Sequence, residues 1–91
     1  MLYRILTEHK NLEAIESLLD QHFDAYTIIE ARGKWRRVSE PALIFEISTG
    51  ISEAELLREI CRHINSINAQ ECTLLQAIEC RSVLIGGNYH G

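Results

Sequence analysis

Ninety-one residues, 46% hydrophobic and 24% charged with one Pro and five Gly, fit one globular domain and exclude disordered, collagen-like and low-complexity chains. The formal net charge of −4 speaks against a general nucleic-acid binder, which would carry a basic footprint. A domain this small buries only about 60–65% of its unfolded surface, so association is one way to bury more.

Leu2–Thr7 alternates loosely and carries Tyr, Ile and Leu, which predicts a strand. Asn11 is placed to cap a helix in which Leu12, Ile15, Leu18, Leu19, His22 and Phe23 form one apolar stripe at spacings of three and four. Ala25–Ala31 is β-branched and aromatic, a second strand. The pattern breaks across Arg32–Glu40, and Pro41 permits only the start or edge of a strand, so Ala42–Ser48 is the third. These two strands read as a hairpin with a long tip. Ser52 and Glu55 match a capping box ahead of a second stripe, Leu56, Leu57, Ile60, Cys61, Ile64 and Ile67, and Asn65, Ser66 and Asn68 mark its end. Cys72–Glu79 returns to strand, and Ser82–Ile85 reads as a short extra strand before Gly86 and Gly87.

The order strand, helix, strand, strand, helix, strand predicts an α+β fold: a ferredoxin-like βαββαβ sandwich with a four-stranded antiparallel sheet and two helices on one face. It occupies residues 1–91 as a single domain, with a short C-terminal strand or tail over 82–91.

A sheet covered on one face should alternate apolar and polar residues. These strands do so poorly. Ala42 and Ile44 lie opposite the Leu43, Phe45, Ile47 face, and the adjacent pairs Ile28–Ile29, Leu74–Leu75 and Ala77–Ile78 must each point both ways. The helices can shield one side, so the other is expected to be an interface between subunits.

Arg32, Lys34, Arg36 and Arg37 place four cations within six residues around Trp35, the only Trp. Guanidinium forks suit phosphate or carboxylate, the indole offers a face to a base or cation, and Gly33 permits close approach or positive φ. The plainer reading is a solvated tip whose charges keep an edge soluble.

Cys61, Cys72 and Cys80 are an odd number at spacings unlike a zinc or redox motif, which fits free thiols in a reducing compartment, the cytoplasm. Cys61 lies on an apolar stripe and reads as core, whereas Cys72 and Cys80 read as two residues of one strand. His22 is expected to pack partly buried and His63 to be solvated. Met1–Glu8 mixes Arg4 and Glu8 into a short apolar stretch and does not read as a signal peptide, and no run approaches the ~20 apolar residues of a membrane span. No metal-ligand spacing, nucleophile motif, P-loop or dinucleotide fingerprint occurs, so neither metal nor cofactor nor enzymatic activity is expected. Glu30, Glu40 and Glu46 are the residual candidates for a general base.

The stretch from Glu30 to Ile47 resembles the second-strand, loop and third-strand region of PII-like proteins and their CutA relatives, with Gly33, Trp35, Glu40, Leu43, Phe45 and Ile47 at matching positions. That resemblance implies a homotrimer with inward-facing sheets and a small anionic effector, an adenine nucleotide in PII-like members, held in clefts between subunits. The ligand residues it implies are Arg32, Gly33, Lys34, Trp35, Arg36, Arg37 and Glu40. It also implies a protein target that receives the signal, and for CutA-like members a link to divalent cations. The loop here is shorter than the mobile loop of nitrogen-regulatory PII proteins. The alternative is a structural or protein-interaction module without a small ligand. Neither nucleic acid nor membrane insertion is expected.

Overall fold

The structure, a computed structural model, describes residues 1–87; residues 88–91, the end of the expected tail, lie outside them. Strand β1 (Leu2–Glu8) leads to helix α1 (Leu12–Asp20), strands β2 (Thr27–Trp35) and β3 (Val38–Ser48), helix α2 (Ala54–Asn68) and strand β4 (Leu74–Ile78). The sheet is antiparallel with order β2-β3-β1-β4, the ferredoxin-like arrangement.

The helices cover one face because their apolar stripes meet the alternate residues of the two central strands. Tyr3 and Ile5 of β1 and Leu43, Phe45 and Ile47 of β3 pack with Ile15, Leu18 and Leu19 of α1 and Leu57, Ile60, Cys61 and Ile64 of α2 in one buried cluster. Burying each aliphatic or aromatic side chain contributes roughly 1.5–3 kcal/mol of transfer free energy. Helix α1 stops at Asp20, so His22 lies beyond it, exposed and edge-on to Phe23 rather than partly buried on the stripe.

Both expected side-chain caps are replaced. Asn11 sits before α1 with φ 51°, but its amide donates to the Ile67 carbonyl at 3.1 Å and to Asn68 Oδ1 at 3.0 Å. Asn tolerates this left-handed conformation better than most residues, and here it ties the start of α1 to the end of α2. Ser52 and Glu55 form no capping box, because a 3-10 turn over Ile51–Glu53 leads directly into α2.

Asn68, read from sequence only as a helix terminator, is 4% exposed and is the centre of a polar cluster. Its amide donates to Thr7 Oγ1 at 3.3 Å and to Gln70 Oε1 at 2.8 Å, while Thr7 donates to the same Gln70 oxygen at 2.9 Å. Gln70 in turn donates to the Cys72 carbonyl and to Thr73 Oγ1, setting the approach to β4. One end of the sheet is thereby joined to both helices. Beyond β4 the expected strand Ser82–Ile85 is absent: residues 79–87 have no regular structure. Strand β4 is also shorter than Cys72–Glu79, so Cys72 and Cys80 flank it as exposed thiols.

Candidate functional site

The stretch Arg32–Glu40 is strand almost throughout. Its ladder continues through Arg32 opposite Pro41, Gly33 opposite Glu40, Lys34 opposite Ser39 and Trp35 opposite Val38, leaving only Arg36 and Arg37 as the turn. Pro41 fits inside β3 because β1 begins pairing at Ala42. The Pro41 carbonyl accepts from the His9 amide at 3.2 Å, so the missing N–H faces the end of β1, where the ladder has run out.

Arg36 and Arg37 both have positive φ, 51° and 68°. A two-residue hairpin turn of this hand matches the twist of its strands, and its favoured residues are Asn and Gly. Two arginines there store backbone strain of about 1–2 kcal/mol each. Gly33 is not where glycine is required. Its φ is not positive, and a Cβ added to it would meet the Ala42 Cβ at an ordinary 3.7 Å.

The register divides the candidate residues between the two sides of the ribbon. Gly33, Trp35 and Glu40 lie on the side of the sheet opposite the helices, whereas Arg32 and Lys34 lie on the helix side. Arg36 Cζ stands 5.7 Å from the centre of the Trp35 ring, and an Arg36 nitrogen lies 3.5 Å from Glu71 Oε2. Both members of that ion pair are mostly exposed, so it contributes little. Arg32, Lys34 and Arg37 have no ion-pair partner among the described residues. Trp35 is 51% exposed, its indole spread on a surface rather than in a core. One chain therefore offers a basic side and an aromatic side of a thin ribbon, and a ligand touching both needs a second wall.

The uncovered face of the sheet supplies the surface on which that wall can stand. Ile29 opposes Ile44, Ile44 opposes Leu6, and Leu6 opposes Leu74, a continuous apolar row across all four strands. Beside it runs a polar row, Thr27, Glu46, Arg4 and Gln76, in which Arg4 Nε donates to Glu46 Oε2 at 2.6 Å. Glu46 is thus an ion-pair partner; Glu30 lies 3.2 Å from His9 Nε2, and Glu40 stands half-buried opposite Gly33.

A shallow groove of about 480 Å³ lies elsewhere, between α1 and α2, where Leu18, His22, Glu59 and His63 are among its walls. No group of three His, Cys, Asp or Glu comes together among the described residues, and none of their helices is long and apolar enough to cross a membrane. Burial pushes the Cys61 thiol up to about 11, which keeps it protonated and poorly nucleophilic near neutrality. Burial, with a 2.6 Å hydrogen bond to Asp20, raises the Tyr26 hydroxyl to about 12. The sequence matches no family model and no curated protein.

Proposed function

We propose that this chain is a PII-like regulatory module whose copies assemble through their open sheet faces into a homotrimer. A small anion, an adenine nucleotide first among candidates, is then held in the clefts between copies beside the basic hairpin. The observation that carries this reading is the apolar row Ile29–Ile44–Leu6–Leu74 on the face the helices leave bare. Apolar surface continuous across a sheet is stabilised by another protein surface, and a sheet face suits a second sheet packed against it. The split hairpin supports the second half: Arg32, Lys34 and Arg37 supply charge with no ion-pair partner among the described residues, and a neighbour standing on the open face would close the side that carries Trp35.

Light scattering on the purified chain should give a mass of three copies, and Leu6→Lys should reduce it to one. Saturating ATP, ADP or AMP should raise the melting temperature, by about 2.7 kcal/mol of stabilisation at a hundredfold excess over Kd. A single-chain mass for the wild type, or no shift with any of these nucleotides, overturns the corresponding half. The second reading, an interaction module without a small ligand, is favoured by the separation of Arg32 and Lys34 from Trp35 across the ribbon. It predicts assembly without any nucleotide-dependent shift.

A further inference from the structure

The segment after β4 is the least satisfied part of the molecule. Val83, Leu84 and Ile85 are 79%, 101% and 88% exposed, more than any of the other large apolar residues that stand exposed. Three consecutive aliphatic residues, two of them β-branched, have the composition of a strand, and Gly86 and Gly87 would end it. The chain also has an unpaired sheet edge. β2 lies outermost in the order β2-β3-β1-β4 and extends for nine residues, with one side of its backbone unbonded among the described residues. A free edge of that length is a template for another strand.

The two cannot meet within one chain. Starting from β4, a strand laid outside β2 would be displaced by four strand spacings, about 19 Å. The residues from Ile78 to Ser82 span at most about 14 Å when fully extended.

We propose that Ser82–Ile85 is a strand in the assembled protein, laid along the outer edge of β2 in a second copy. Alternation sends Leu84 to one side of the extended sheet and Val83 and Ile85 to the other. Leu84 beside Ile29 prolongs the apolar row to a fifth strand, and of Val83 and Ile85 one then stands opposite the half-buried Ile28 and the other opposite Glu30. Because the two edges differ, each copy gives its tail to the next, a head-to-tail exchange that closes into a ring when the rotation permits. This inference rests on association between copies but not on the ligand.

Hydrogen exchange and light scattering on the full chain test it, with Leu84→Pro and Leu6→Lys as variants. Leu84 makes no core contact, so its replacement leaves the domain folded while removing one strand donor. In the assembled wild type, those amides of residues 83–85 that face β2 and the outward amides of β2 should be protected together. Leu84→Pro should strip that protection from both segments and weaken association at least tenfold. An assembled wild type whose tail exchanges freely, or Leu84→Pro with unchanged mass and protection, overturns the exchange and leaves sheet-face assembly standing. A single-chain mass with a protected tail also overturns it, since the strand would then fold back on its own chain. A single-chain mass with a bare tail overturns both proposals.

Discussion

On the helix-covered side of the sheet, Tyr3, Ile5, Leu43, Phe45 and Ile47 are at most 1% exposed. One residue along the same strands, Leu6 and Ile44 are only half-buried, while Ile29 and Leu74 are 38% and 52% exposed at the two edges. Large aliphatic residues occur on both sides, on the outer one beside the polar row Thr27, Glu46, Arg4 and Gln76. What differs is the covering: two helices are wide enough for one face, and alternation along a strand then leaves every second apolar residue without cover. The difference teaches that the inner residues stabilise the single chain, whereas the outer ones contribute fully only when something stands on them.

The largest effect should come from neighbouring residues on opposite faces. Phe45→Ala should lower single-chain stability by about 3–5 kcal/mol, because a large side chain leaves a closed core. Ile44→Ala should change the single chain by less than about 1 kcal/mol yet weaken association. Denaturant melts measured across a range of protein concentrations separate the two, and equal effects would erase the proposed distinction between the faces.

The polar cluster gives the next largest effect. Asn68→Ala should lower stability by about 2 kcal/mol, since Asn68 donates to Thr7 and Gln70 and accepts from Asn11 inside a buried site. The loss should show as faster amide exchange at the start of both α1 and β4. A purely local change at the end of α2 would show that Asn68 does not join those elements.

The smallest effect has the opposite sign. Replacing the turn, Arg36→Asn with Arg37→Gly, should stabilise the chain by about 1–2 kcal/mol through relief of two positive-φ positions. The same double variant should lose most of any nucleotide-dependent rise in melting temperature. Strain maintained at a turn where Asn-Gly would be more stable is consistent with side chains kept for binding.

The helices and the two-sided character of the sheet were legible because they are periodic. Ile15, Leu18 and Leu19, then Leu57, Ile60, Cys61 and Ile64, repeat at helical spacing, and adjacent pairs such as Ile28–Ile29 must split between faces whatever the register. The hairpin itself was read from the sequence, but its length and its two-residue turn were not legible. Arg32–Glu40 is charged, contains Gly33 and is followed by Pro41, so local composition reads as loop. Cross-strand hydrogen bonding overrides that preference, and an Arg-Arg turn carries no sequence signal for a hairpin.

The sequence by itself determined the order of elements, their core-facing residues and the excess of apolar surface, because each depends on spacing along the chain. Tertiary structure alone decided that Arg32 and Lys34 part company with Gly33, Trp35 and Glu40, that Asn11 and Asn68 join distant elements, and that Ser82–Ile85 finds no strand beside it. Those outcomes depend on which backbone lies next to which. Pairing between segments far apart in the chain is set by register and packing, and no window of neighbouring residues contains it.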